Sequence, residues 1–314
     1  MPSAFLKFWF FWLTLLAITA RADEQVIELW PTDHFTAADR AAETGEDVGT
    51  DSPDRRIANV RVPTLQFYPA STPAEIRPAV IICPGGGYGI EAIDKEGHEP
   101  ARWFQDRGIV GIVLKYRLPE GTDGDLSPTK DVSRAIRLVR QRASEWNIDP
   151  ERIGVMGFSA GGHLASTGAT HFDVGDATST DPIERVSSRP DFQILIYPVI
   201  SMDEKVGHSG SRERLLGKTP SAKALADASN DLQVNDKTPP AFLVHTSDDP
   251  VSCENSLRYA SALRRQGIPF ELHLYERGGH GYGLRGGKGP VDNWPERLED
   301  WLVLRGLAEK PNRT

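Results

Sequence analysis

Cysteine is scarce in this chain: Cys83 and Cys253 are the only two among 314 residues. Two thiols do not make a disulfide framework, and they are read as separate, buried and unpaired. Positive charge is also in short supply. Thirty-six Lys and Arg against 44 Asp and Glu leave a formal charge of −8, which argues against nucleic acid or an anionic membrane as a partner and fits a neutral substrate. No His, Cys, Asp or Glu spacing resembles a metal cage, so neither a metal nor another cofactor is expected. Beyond residue 22 no stretch is long and apolar enough to cross a bilayer. No internal repeat and no linker divides the chain, so residues 23–314 are expected to form one domain, a size that buries roughly 75% of the unfolded surface.

The long apolar run that does occur lies at the start. Lys7 precedes Phe8-Trp-Phe-Phe-Trp-Leu-Thr-Leu-Leu-Ala-Ile-Thr19, and Ala20-Arg21-Ala22 supplies the A-x-A pattern of a cleavage site. The run is short for a membrane span. Residues 1–22 are therefore read as a cleaved signal peptide, and the product as secreted or periplasmic without stable membrane insertion. Cleavage would remove Lys7 and Arg21, leaving 34 basic residues against 44 acidic ones and a charge of −10.

The rest alternates between two periods. Strands are expected at Val26–Trp30, Val62–Tyr68, Ala79–Cys83, Ile109–Leu114, Ile153–Met156, Phe192–Tyr197, Ala241–His245 and Pro269–Tyr275. Several of these are continuous apolar runs, as in strands buried on both faces. Helices are expected at Gly97–Asp106, Thr129–Trp146, from Ala160 onward, at Cys253–Gln266 and at Val291–Arg305. The acidic stretch after Trp30, to about Arg61, is read as a surface loop, and Ser201–Lys237 as a small polar insert without periodicity near the cleft. The alternation predicts the α/β class: a mostly parallel central sheet of about eight strands with helices on both faces.

The chemistry-bearing residues fall just past strand ends, where open α/β sheets build their sites. Gly157-Phe-Ser159-Ala-Gly161 is a G-x-S-x-G sequence at a strand-to-helix junction, a context that exposes a serine hydroxyl on a sharp turn. Serine is a weak nucleophile without a base, imidazole suits that task near neutral pH, and a carboxylate on its far nitrogen fixes the tautomer. His280 follows the Pro269–Tyr275 strand in a glycine-rich loop, and Asp248-Asp249 follow Ala241–His245, giving the order Ser, Asp, His. The two aspartates point to different sides. Asp249 is favoured as the orienting acid, Asp248 is the alternative, and one of the pair would otherwise cap the next helix. Pro84-Gly-Gly-Gly-Tyr88 ends the Ala79–Cys83 strand without the G-K-[ST] of a phosphate loop, and an oxyanion hole fits it better. His163, one turn into the nucleophile helix, is expected to pack or bind backbone, and His245 and His273 to be buried structural residues. His98, in Lys95-Glu-Gly-His-Glu99, is a lesser candidate for a substrate contact.

On these stretches, with Val113-Leu-Lys-Tyr-Arg-Leu118, Trp146-Asn-Ile-Asp-Pro150 and Gly278-Gly-His-Gly281, the chain resembles the α/β-hydrolase superfamily. Within it, the chain is similar to bacterial acetyl xylan and feruloyl esterases, over about residues 60–305. The resemblance implies an α/β-hydrolase fold with Ser159 as nucleophile, His280 as base and Asp249 as orienting acid. It also implies an oxyanion hole from the amides of Gly86, Gly87 and Ala160. Many lipase-like relatives carry His before the three glycines where this chain has Pro84, which leaves open which glycine amide donates. The expected activity is that of a secreted serine carboxylesterase. Its substrate would be an ester-bearing small molecule or acylated oligosaccharide, and the group removed acetyl on xylan or a related polysaccharide. Three readings compete. A prolyl-oligopeptidase-type peptidase usually carries a large gating domain, for which this chain has no room. A silent binding module typically loses the serine or the histidine. A glycoside hydrolase would need two opposed carboxyls on a different scaffold.

Overall fold

The computed structural model describes residues 25–50, 52–71, 76–120 and 126–309; the expected signal peptide lies outside them. Strand β1 (Val26–Glu28) is followed by helix α1 (Ala37–Ala42), β2 (Thr44–Asp47), β3 (Arg55–Ala58), β4 (Thr64–Tyr68), β5 (Arg77–Cys83) and the short β6 (Glu91–Ala92). Then come α2 (Glu99–Gln105), β7 (Val110–Lys115), α3 (Ser127–Gln141), β8 (Ile148–Phe158), α4 (Ser159–Thr170) and β9 (Phe192–Ile196). The chain continues through α5 (Ser209–Leu216), α6 (Ala222–Asp227), β10 (Ala241–Thr246), α7 (Glu254–Arg265), β11 (Phe270–Tyr275) and α8 (Trp294–Leu304).

Eight strands form the main sheet in the order β1-β4-β7-β5-β8-β9-β10-β11. The β1–β4 and β4–β7 pairs are antiparallel, and every pairing from β7 to β11 is parallel. The carboxyl ends of β5, β8, β10 and β11 therefore share one edge. Their apolar runs are continuous because the sheet is covered on both sides. Along β5, Ile81 and Cys83 enter the core that holds α3, α4 and α7 residues such as Ile136, Leu164 and Leu263. Val80 and Ile82 enter the opposite core with Phe104 of α2 and Trp301 of α8. Consecutive β5 side chains alternate between two hydrophobic layers, and each fully buried aliphatic one contributes roughly 1.5–3 kcal/mol. In α3, Val132, Ala135, Ile136 and Val139 repeat at helical spacing and are all buried, with Pro128 in the first turn.

Four expectations are corrected. The acidic stretch before Arg61 is not only loop: β2, β3 and β6 form a second, three-stranded antiparallel sheet. The helix expected to reach Trp146 stops at Gln141, and a 3-10 turn, Ala143–Trp146, leads into left-handed Asn147 at φ 53°. The helix expected from Gly97 begins earlier, as a π turn over Asp94–His98. The Ser201–Lys237 insert carries two short helices, capped by the side chains of His208 and Ser221. Cys83 is buried as expected, Cys253 is only partly so, and the two are not bonded.

Candidate active site

Strand β8 ends at Phe158 and α4 begins at Ser159, with no residue between them to make the turn. Ser159 absorbs the reversal itself, at φ 52°, a conformation costly for a residue with a Cβ. The flanking glycines are there because the turn is tight. A Cβ on Gly157 would lie 2.1 Å from the Gly161 carbonyl oxygen, and one on Gly161 would lie 2.1 Å from that of Cys83.

Ser159 Oγ is 2.9 Å from His280 Nε2, and His280 Nδ1 is 2.8 Å from Asp249 Oδ2. The carboxylate accepts the Nδ1 proton, which leaves Nε2 free to accept from the serine hydroxyl. Asp249 is fixed from its other oxygen by the Val251 amide at 2.7 Å, and its side chain is fully buried. The adjacent aspartate does something else. Asp248 accepts the amides of Gly278 at 3.3 Å and Gly279 at 2.9 Å, tying down the loop that carries His280, and the Gly279 amide holds its carboxyl below the usual range.

The triple-glycine loop lies against the serine: a Cβ on Gly85 would sit 2.9 Å from that of Ser159. The Gly85 amide is spent on Glu96 Oε2 at 2.8 Å, whereas the Gly86 and Gly87 amides have no acceptor among the described residues. Ala160 lies in the first turn of α4, where an amide has no partner within its own helix. Gly86, Gly87, Ser159 and His280 line one cleft. Where many relatives have a bracing histidine, Pro84 offers its carbonyl oxygen to the Tyr116 hydroxyl at 2.8 Å.

Glu96 lines the cleft as well, and nothing in the sequence singles it out. Beyond holding Gly85, it accepts the Tyr197 hydroxyl at 3.0 Å, and that hydroxyl accepts the Gly283 amide at 2.9 Å. One buried carboxyl thus links the triple-glycine loop to the loop after His280, whose ring is 4.8 Å from that of Tyr197. Burial pushes the Glu96 pKa up, against the opposing pull of Lys95, Tyr197, Gly85 and His280. Nothing in the run Asp94-Lys-Glu-Gly-His98 marks which acid turns inward.

The other histidines separate clearly. His98 is buried and hydrogen-bonds Tyr68 at 2.7 Å, away from the cleft. His163 donates to the Ala228 carbonyl and accepts from Tyr88, each at 2.8 Å, and burial lowers its pKa to about 4. His245 is wholly buried, whereas His273, expected to be buried, is partly exposed on edge strand β11 beside Glu271.

The BD-FAE family model matches residues 65–263, a span that includes Ser159 and Asp249 and stops short of His280. The chain belongs to the BD-FAE family. This BD-FAE chain is 39% identical over 230 residues to an acetylxylan esterase of Xylanibacter ruminicola, a match covering 71% of the chain and 45% of that relative. It is 40% identical over 213 residues to a protein of Butyrivibrio fibrisolvens named endo-1,4-beta-xylanase B, covering 65% of the chain and 32% of the relative. The chain thus spans less than half the length of these curated relatives. Among solved structures, the acetyl ester-xyloside bifunctional hydrolase of Caldicellulosiruptor lactoaceticus superposes with a TM-score of 0.79 at 40% identity, over 91% of this chain and 97% of that one. The BD-FAE chain has the α/β-hydrolase fold, with its eight-stranded, mostly parallel sheet.

Proposed function

We propose that this protein is a secreted serine carboxylesterase that removes acyl groups, chiefly acetyl, from xylan or related polysaccharide fragments. The observation that carries the reading is the hydrogen-bonded line Ser159–His280–Asp249, set at the mouth of a cleft beside two unengaged glycine amides. Ser159 Oγ attacks the ester carbonyl while His280 Nε2 takes its proton, and the buried Asp249 carboxylate stabilises the imidazolium. The carbonyl oxygen becomes an oxyanion facing the amides of Gly86, Gly87 and Ala160. Losing one such donor typically costs on the order of 10²–10³ in turnover. As the carbonyl–oxygen bond to the sugar breaks, His280 gives that proton to the departing sugar oxygen, which leaves as the alcohol, and the acyl group stays on Ser159. A water activated by the same nitrogen then releases the acid and frees the serine.

The names of the relatives support acetylated xylan as substrate, and the apolar run of residues 1–22 supports export. A xylanase name on one relative does not carry glycosidase chemistry over to Ser159. Cleaving that bond needs two carboxyls flanking it. The one carboxyl lining this cleft among the described residues is Glu96, already engaged by Gly85 and Tyr197. The test is acetate release from acetylated xylo-oligosaccharides by wild type and Ser159→Ala. A fall of about 10⁴-fold or more is expected, and near-normal turnover in the variant would sink the proposal. N-terminal sequencing of the exported product checks cleavage after Ala22.

A further inference from the structure

Three cations line the Ser159 cleft of a protein whose overall charge is −8: Arg56, Lys95 and Arg214. Their positions follow from three separate elements. Arg214 comes from α5 and lies over the triple-glycine loop. Its Nη1 donates to the Gly87 carbonyl oxygen at 3.0 Å, and a Cβ on Gly89 would meet its Nε at 2.8 Å. Lys95 comes from the π turn before α2 and reaches the loop that carries His280, where a Cβ on Gly281 would be 3.7 Å from its Nζ. Arg56 projects from β3, opposite Glu46 in the ladder but not ion-paired with it. Among the described residues none of the three has a carboxylate within ion-pair distance.

The one acid in the cleft is outnumbered three to one, and both Glu96 oxygens are already taken by protein donors, the Gly85 amide and the Tyr197 hydroxyl. Unpaired cations around a low-dielectric cleft concentrate anions there, whatever the sign of the whole molecule. The acidic composition, which by itself fits a neutral substrate, is thus overruled locally.

We infer that the cleft selects acylated oligosaccharides bearing a uronic acid, whose carboxylate is held by Lys95, Arg214 and Arg56 while the ester lies at Ser159. This rests on the ester-hydrolase reading for what happens at Ser159, but the anion site does not need turnover to be detected. The three cations line the same cleft as Ser159 and come from elements other than the one that carries it, so an acid on a sugar next to the acylated one can meet them while the ester lies at the serine.

The experiment measures binding to Ser159→Ala by calorimetry. The ligands are two acetylated xylo-oligosaccharides of equal length, one with a glucuronic acid side group and one without. The uronate ligand should bind about 10-fold tighter at about 20 mM salt, and the preference should shrink toward parity at about 500 mM, where screening is several-fold stronger. Lys95→Gln and Arg214→Gln should each reduce the preference by about 3-fold, read as a ratio within each variant so that general losses cancel. The deacetylated pair on the wild-type protein gives the same comparison without the serine variant. Equal affinities at low salt would overturn the inference. Turnover of both acetylated ligands by wild type with no preference for either sinks this inference and leaves the esterase reading standing. A binding preference without turnover of either sinks the esterase reading instead and leaves the anion site standing.

Discussion

His245 Nε2 lies 3.5 Å from Asp249 Oδ2, the same carboxylate oxygen that His280 Nδ1 approaches at 2.8 Å. Two imidazoles thus flank one buried acid, but they are not equivalent. His245 donates from Nε2 to the Val251 carbonyl at 2.9 Å and accepts at Nδ1 from Ser256 at 2.8 Å. Burial pushes its pKa down to about 4, against the pull of Asp249, so it stays neutral and holds the turn on which Asp249 sits.

That neutrality has a consequence for stability. A histidine whose folded pKa lies below its unfolded value takes up protons preferentially in the unfolded chain. Stability should therefore fall as pH drops from about 6.5 toward 4, by on the order of 2–3 kcal/mol for His245. His163, also lowered to about 4 by burial, acts in the same direction. Denaturant unfolding of wild type and His245→Gln at pH 6.5 and 4.5 isolates the share of His245, since His163 is common to both. The wild type should lose about 2 kcal/mol more than the variant across that interval, and equal losses would mean His245 does not titrate this way.

The two adjacent aspartates should separate by function. Asp249→Asn leaves the geometry but lets the amide favour the wrong imidazole tautomer, and turnover should fall by about 10⁴-fold. Asp248→Asn keeps one oxygen for the Gly279 amide and gives up only the longer contact with Gly278, and should cost less than about 10-fold. Steady-state rates on an acetyl ester decide between them. Equal damage in both variants would remove Asp249 from its assigned place.

How far the sequence could reach is visible in these same residues. That Ser159, Asp249 and His280 would meet was legible because each lies just past the end of a strand, in the chain order Ser, Asp, His. The carboxylate of Asp248 faces glycine amides that only the folded loop brings near, so composition could not separate it from Asp249 beyond a preference. Strands β2 and β3 were hidden for a different reason. Thr44-Gly-Glu-Asp47 is exposed throughout and pairs by backbone alone, without the period-two apolar pattern that marks a strand. Helices α5 and α6 are short and depend on caps more than on an apolar face. Arg214 reaches the cleft from a segment that reads as an insert without periodicity, and Lys95 from a stretch whose sequence shows no period at all.

Glu96 should behave as a positioning residue. In Glu96→Gln the amide oxygen can still accept from Gly85, and the amide group can donate to the Tyr197 hydroxyl, so both contacts survive in altered polarity. Glu96→Ala leaves two donors unpaired, at about 1–3 kcal/mol each, and frees the loop that presents Gly86 and Gly87. Turnover number on an acetyl ester should fall by about 10²-fold in the alanine variant, with KM little changed, and the glutamine variant should recover most of it. A normal turnover number in Glu96→Ala would show that the loop holds its shape without the carboxyl.

The tight turn before α4 makes the last prediction a comparison within one helix. Gly161→Ala puts a Cβ 2.1 Å from the Cys83 carbonyl oxygen, and the obstacle is backbone of the central strand, which cannot swing away. Gly168→Ala, two turns on, places its Cβ 3.3 Å from a Val132 methyl group. That side chain has only a few tenths of an ångström to yield, and the helix gains back roughly 0.5–1 kcal/mol of glycine's backbone entropy. Gly168→Ala should therefore melt close to wild type, whereas Gly161→Ala should lose at least about 3 kcal/mol or fail to fold. Thermal unfolding of both, followed by circular dichroism, provides the check. A Gly161→Ala protein as stable as Gly168→Ala would mean that α4 can back away from β5, and that the serine is held by something other than the close approach of helix and strand.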